Sequence, residues 1–182
     1  SGADLHELES TACPSAGSCG GQFTANTMAC VSEALGLALP GSAGTPAPYE
    51  SRDAYAEASG EAVMKLLAKG IRPRDIVTRK SLENAATVVA ATGGSTNAGL
   101  HLPAIAHEAG IEFDLHEVAS IFKRTPYIAD LKPGGRYMAP DMAAAGGARL
   151  LLQRLKAADM LDDAPTVTGK TLFEEADLAS ET

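Results

Sequence analysis

Two stretches of this sequence carry residue types whose spacing could do chemistry. The first, residues 17–28, reads Gly-Ser-Cys-Gly-Gly-Gln-Phe-Thr-Ala-Asn-Thr-Met. Cys19 stands there among glycines, just ahead of a predicted helix. Glycine lets the backbone approach whatever the sulfur touches. The free N–H groups and partial positive charge of a helix start favour a thiolate and a negatively charged cluster. Cys19 is therefore a candidate metal or iron–sulfur ligand, although a free cysteine is more often a small buried apolar residue. One cysteine cannot hold a cluster, so further ligands must come from elsewhere. Cys13 and Cys19 do not have the Cys-x2-Cys spacing of zinc ribbons or thioredoxin-like sites. Cys30, beside Val31, reads as core.

The second stretch is Thr92-Gly93-Gly94-Ser95-Thr96-Asn97. A Gly-Gly turn that opens a helix with Ser and Thr brings backbone N–H groups, hydroxyls and the helix dipole together, a pocket for an anion such as a substrate carboxylate. A capped helix start after a tight turn explains the same pattern. Other patterns fail. Thr168-Gly169-Lys170-Thr171 resembles the end of a phosphate-binding loop, but Ala164 stands where that motif needs glycine. There is no Gly-x-Gly-x-x-Gly dinucleotide fingerprint. His6, His101, His107 and His116 show no ligand spacing and read as surface or capping residues. Asp162-Asp163 and Glu174-Glu175 read as solvated charges.

The elements that must position these residues are mostly helices. Helices are expected over about 4–10, then Ala25–Leu39 with Thr24 as N-cap and Met28, Val31, Leu35 and Leu39 at helical spacing. Another runs from Ser51 or Asp53 to Lys69, closed by Gly70. Arg72–Val77 reads as extended, broken by Pro73. A helix then follows Thr78 with Leu82, Ala85, Ala86 and Val89 inward, stopping at Gly93-Gly94. The next opens at Ser95-Thr96-Asn97 and runs to Ala109, with a kink or a late restart at Pro103. Asp114 caps a helix to Arg124, Tyr127–Leu131 reads as a short strand, and Lys132–Gly135 is a turn. Asp141 caps a short helix, an amphipathic helix spans Leu150–Ala158, and residues 162–182 read as a Thr/Val segment and a frayed tail. The fold class expected is α/β: the helix-rich part of a three-layer α/β/α domain with few short strands.

Composition narrows the functions. The chain has 182 residues, 45% hydrophobic and 21% charged, as ordinary globular domains do. Fifteen Lys+Arg against twenty-three Asp+Glu give a net charge of −8, which argues against a nucleic-acid partner. The absence of Trp and the 4% aromatic content argue against a base-stacking platform. No apolar run is long enough to span a membrane. Three cysteines form no disulfide framework and suit a reducing compartment, so a cytoplasmic location is expected. The chain begins Ser-Gly-Ala-Asp-Leu-His-Glu-Leu, with no basic-then-apolar leader, and reads as an internal piece of a longer protein.

Four stretches together resemble one family. Residues 12–28, from Ala-Cys-Pro-Ser-Ala-Gly-Ser-Cys to Ala-Asn-Thr-Met, are similar to a signature of the dihydroxy-acid dehydratase / phosphogluconate dehydratase family. Glu33–Gly41, Glu83–Ala85 through Gly93–Asn97, and Asp130–Gly135 agree in order and spacing. The form Cys-Gly-Gly-Gln-Phe-Thr-Ala-Asn-Thr-Met lies nearer the dihydroxy-acid branch than the sugar-acid branches. The resemblance implies an enzyme that removes water from a 2,3-dihydroxy acid in branched-chain amino-acid synthesis. It implies an iron–sulfur cluster, of two-iron or four-iron type, held by three cysteines, with one iron open as a Lewis acid, and Mg2+ on the carboxylate and 2-hydroxyl. Cys19 matches the last cluster cysteine. The other two, the magnesium ligands and the base lie outside these residues, so residues 1–182 correspond to part of the N-terminal, cluster-binding domain, without the C-terminal domain. Neither a catalytic residue nor a magnesium ligand is expected within them, and taken alone they are expected to be inactive. Gly94, Ser95, Thr96 and Asn97 are expected to contact substrate or support the cluster pocket. The partners implied are a small dihydroxy acid and further copies of the chain in a homodimer or larger oligomer. The competing readings are an aldonate dehydratase of the same family, a non-catalytic anion-binding or interaction domain, and a redox or metal protein using Cys13 and Cys19.

Overall fold

The computed structural model describes residues 1–12, 20–46 and 48–180. Ten helices follow one another among them: α1 (Gly2–Thr11), α2 (Thr24–Ala34), α3 (Ser51–Lys69), α4 (Pro73–Ile76), α5 (Arg79–Thr92), α6 (Ala98–Ala109), α7 (Leu115–Arg124), α8 (Ala139–Ala145), α9 (Gly147–Ala157) and α10 (Leu172–Ala176). The helix-rich expectation holds. The few short strands do not form among the described residues, where β pairing is limited to two isolated bridges, Leu131 with Tyr137 and Pro165 with Thr171.

The molecule is arranged around α5. Thr78 caps it, its hydroxyl accepting from Ser81 N at 3.1 Å while the Ser81 hydroxyl accepts from Thr78 N at 2.8 Å. Leu82, Ala85, Ala86, Val88, Val89 and Ala91 are all buried, on more than one face, because α2, α6 and α7 pack around the helix. Alanine on those faces lets the neighbouring backbones come close. α9 forms the second centre, with Ala148, Leu151, Leu152 and Leu155 buried against α2, α8 and α10. α7 is fixed by the Asp114–Glu117 capping box, and Lys123 and Arg124 sit in its last turn where the helix dipole favours cations.

Several sequence expectations are corrected, each for a local reason. α2 stops at Ala34 and not Leu39, because Gly36 turns left-handed (φ 78°) and a Cβ there would lie 2.4 Å from the Pro165 carbonyl oxygen. The stretch expected to be extended, Arg72–Val77, contains α4 with Pro73 in its first turn, where a missing N–H costs nothing. α6 starts only at Ala98 and runs through Pro103 without a restart. The expected strand at Tyr127–Leu131 is a loop, hung by the Ile128 and Ala129 N–H groups on the Ala91 carbonyl at 2.9 and 3.0 Å. Asp141 is the third residue of α8 and not its cap, and reaches back to Met138 N at 2.7 Å. α9 begins at Gly147, ahead of Leu150.

The expected frayed tail is docked as far as residue 180. Leu172 and Ala176 are buried. Glu175, expected to be solvated, is 6% exposed; it accepts from Arg149 Nη2 at 2.9 Å and from the Thr168 hydroxyl at 2.7 Å. Asp162 and Asp163 are exposed as expected, Asp162 facing Lys80 at 3.4 Å.

If α5 is the packing centre, Leu82→Ala destabilises the full-length protein by about 2–5 kcal/mol, whereas Leu82→Met costs less than about 1.5 kcal/mol. Denaturant unfolding reads both, and equal losses would contradict the arrangement.

Candidate functional site

Cys13 and Cys19 lie outside the described residues. The chain that follows Cys19 is tightly held. The Gly20 carbonyl accepts from Ala139 N at 2.8 Å, at the first residue of α8, and Gln22 N donates to the Lys132 carbonyl at 2.7 Å. Gly21 permits that approach, since a Cβ there would stand 2.8 Å from the Lys132 oxygen. Its own carbonyl accepts from Asn26 Nδ2 at 2.6 Å. Residues 20–22 are thus clamped between the Asp130–Gly135 loop, the start of α8 and the first turn of α2.

α2 starts one residue earlier than a Thr24 cap would place it. Phe23 holds the N-cap position without a side-chain hydrogen bond, and Thr24 is the first helical residue. The Thr24 hydroxyl turns instead to the second motif: it lies 3.1 Å from the Ser95 hydroxyl and accepts from Asn97 Nδ2 at 2.8 Å. One turn on, buried Thr27 accepts from Ser95 N at 2.9 Å and donates to the Gln22 carbonyl at 3.1 Å. The two stretches singled out in the sequence, far apart in the chain, therefore meet as one hydrogen-bonded unit.

Two glycines allow this meeting. Gly93 closes α5 in the left-handed region (φ 63°), and a Cβ there would run into the Tyr127 ring at 2.5 Å. A Cβ at Gly94 would stand 2.9 Å from Thr27 Cγ2 and 3.1 Å from Val89 Cγ1. The donors expected to converge on an anion are largely spent inside the protein. Gly94 N donates to the Val89 carbonyl at 2.9 Å, Ser95 N to Thr27, and Asn97 N to the Ser95 hydroxyl at 3.2 Å. Thr96 differs, being exposed with no side-chain hydrogen bond to a described residue.

Cys30 is buried on α2 as expected. Burial pushes its thiol up to about 11, against the opposing effect of the Gln22 carboxamide, which donates to its sulfur at 3.6 Å. That is the opposite of a metal-ligating thiolate. Among the described residues no three His, Cys, Asp or Glu side chains gather to hold a metal ion. These residues do not form a metal centre by themselves. His6, His101, His107 and His116 are all exposed.

Sequence reasoning missed Glu33. It is 3% exposed, and its carboxylate accepts from Gly41 N at 3.0 Å and Ala43 N at 2.7 Å, pinning the loop after α2. Burial raises its pKa above the ordinary 4.5 even so, with the two N–H donors and Arg149 opposing. The folded state then holds the proton more tightly than the unfolded one, so this group's contribution to stability falls as pH rises from 4.5 through the raised value. Glu33 opens one of the stretches that carry the family resemblance, but only its place on the inward face of α2, between Val31 and Ala34, hinted at its burial.

With this geometry in place, the comparisons identify the family. The profile of the dihydroxy-acid/6-phosphogluconate dehydratase N-terminal family matches residues 1–175, and the chain belongs to that family. Among its relatives are proteins named dihydroxy-acid dehydratase from Parvibaculum lavamentivorans, 74% identical over 94% of this chain, from Pelagibacter ubique, 71% identical over 93%, and from Dinoroseobacter shibae, 69% identical over 96%. The chain spans about 30% of the length of each of these curated relatives.

Thr27→Val in the full-length protein removes the acceptor for Ser95 N and is expected to cost about 1–3 kcal/mol, while Thr27→Ser keeps it; thermal melts that place the two variants together would refute the coupling. In native protein Cys30 is expected to resist iodoacetamide at pH 8 and to react once unfolded, which peptide mass mapping reads. Rapid native labelling would contradict its burial.

Proposed function

We propose that these residues form part of the cluster-binding N-terminal domain of a dihydroxy-acid dehydratase, a hydro-lyase that converts 2,3-dihydroxy-3-methyl carboxylic acids to 2-oxo acids in branched-chain amino-acid synthesis. The observation that carries this reading is the family match over residues 1–175 together with relatives up to 74% identical that bear that name. In this reading Cys19 is one ligand of an iron–sulfur cluster of two-iron or four-iron type, and the rest of the protein supplies the remaining ligands and those for Mg2+. The cluster and Mg2+ contribute Lewis acidity toward the leaving 3-hydroxyl and the carboxylate end of the substrate.

The work of this chain's own residues is positional. Gly20–Gln22, which follow Cys19 in the sequence, are held by Ala139 and Lys132. The Thr24–Thr27 turn and the Gly94–Asn97 loop brace one another, and the loop presents the unengaged Thr96 hydroxyl outward. In the whole enzyme this helical unit becomes part of an α/β/α layered domain whose sheet comes from other parts of the protein. The enzyme acts in the cytoplasm as a homodimer or larger homo-oligomer. The family description also includes 6-phosphogluconate, so an aldonate dehydratase is the second reading.

The test is an assay of the full-length protein with 2,3-dihydroxy-3-methylbutanoate and with gluconate. Turnover of the branched acid alone is expected, and turnover of gluconate alone would favour the second reading. Thr96→Val is expected to lower turnover while leaving the melting temperature unchanged. Equal losses of both would reduce the loop to a helix cap.

A further inference from the structure

α3 is the longest helix among the described residues, yet none of its residues is buried. Tyr55, Ala62 and Leu66 are half-buried and mark the side turned to the rest of the chain. A second stripe of the same helix faces solvent. Ala56, Gly60, Val63 and Leu67 recur at steps of four, three and four, the spacing of a coiled-coil seam. Val63 is 50% exposed, Leu67 67%, and Met64 beside them 65%. The stripe is about 16 Å long at the rise of an α-helix. Single exposed apolar side chains are ordinary, whereas a continuous row of them marks an interaction surface. Gly60 is an independent sign of the same thing. Glycine inside a helix weakens it relative to alanine. In α6 a close neighbour explains the glycine, since a Cβ at Gly99 would stand 3.0 Å from Leu115 Cδ1. A Cβ at Gly60 would meet nothing within 4 Å. The described chain does not need glycine there; a second backbone approaching from outside would.

We propose that this stripe is an isologous interface, in which α3 pairs antiparallel with α3 of a second copy of the chain. The seam complements itself. In antiparallel register Ala56 lies opposite Leu67 of the copy and Gly60 opposite Val63, so each large side chain faces a small one. Charge sets the same direction. Asp53, Glu57 and Glu61 all precede Lys65 and Lys69 along the helix, and Arg52 is turned to the Thr45 carbonyl at 2.8 Å. Antiparallel pairing sets those acids against lysines, whereas parallel pairing sets like charges together. A seam of about three turns is smaller than a standard interface, so other parts of the full-length protein add area to it. The proposal deepens the homo-oligomeric reading given above and rests on it.

The test uses the full-length protein. Sedimentation over a range of dilutions reads its dissociation constant into single chains, and circular dichroism checks folding. Gly60→Leu is expected to raise that constant about tenfold or more, since the new side chain has open space in one copy and none in the pair. Ala58→Leu, on the opposite side of the helix from the stripe, is expected to leave it unchanged. Should Gly60→Leu fail to fold, contact is read without it. Val63→Cys treated with a short bismaleimide is expected to give covalent dimer about tenfold or more faster than Ala58→Cys, because pairing raises the local concentration of the thiols. Wild-type affinity in folded Gly60→Leu would overturn the proposal, as would equal cross-linking of the two cysteine variants. A loss of thermal stability in Gly60→Leu that does not depend on concentration, with no cross-linking of Val63→Cys, would overturn it in favour of cover by another part of the same polypeptide. Wild type that stays monomeric at every concentration would overturn the homo-oligomeric reading itself, whereas a wild-type oligomer indifferent to both substitutions would overturn the α3 interface alone.

Discussion

The contact on which the rest of the structure depends is the approach of the end of α5 to the start of α2. A methyl group at position 94 would lie 2.9 Å from the Thr27 side chain, so only glycine lets Ser95 N reach the Thr27 hydroxyl. That hydroxyl also donates to the Gln22 carbonyl, and Gln22 N donates to Lys132. One short chain of hydrogen bonds thus joins the Gly-Gly loop, the first turn of α2 and the loop before α8. Such networks specify a unique arrangement when each member is satisfied. Here the network holds Gln22, three residues after Cys19 in the sequence, the residue to which the proposed chemistry is tied.

Much of this fold is legible in the sequence where local signals agree. Thr78 and Asp114 start helices with partners three residues on, Gly70 and Gly93 end them in the left-handed region, and the inward face of α5 follows from the spacing of Leu82, Ala85, Ala86 and Val89. The misses arise where tertiary contacts decide. Nothing near Gly36 in sequence reveals that Pro165 will sit against it and end α2 early. Pro73 breaks an extended reading just as well as it starts a helix, and only the surrounding chain selects α4. Glu175 looks like a surface charge until Arg149 and Thr168 are brought to it from other elements.

The candidate site was legible as two motifs but not as one unit. The sequence shows that Cys19 and the Gly94–Asn97 loop could each meet a charged ligand, and it cannot show that Thr24 and Thr27 take up the donors of the second. That use of the donors makes the loop a brace for α2, while the exposed Thr96 hydroxyl is engaged by no described residue. In the function proposed above, these residues brace the segment that follows Cys19, and the rest of the protein completes the reacting centre.

The most direct measurement of the central claim is the iron content of the full-length protein carrying Cys19→Ser, beside wild type and Cys30→Ala. The Cys19 variant is expected to lose bound iron and the associated visible absorbance, while the Cys30 variant retains both. Full iron content in Cys19→Ser, or loss confined to Cys30→Ala, would contradict it.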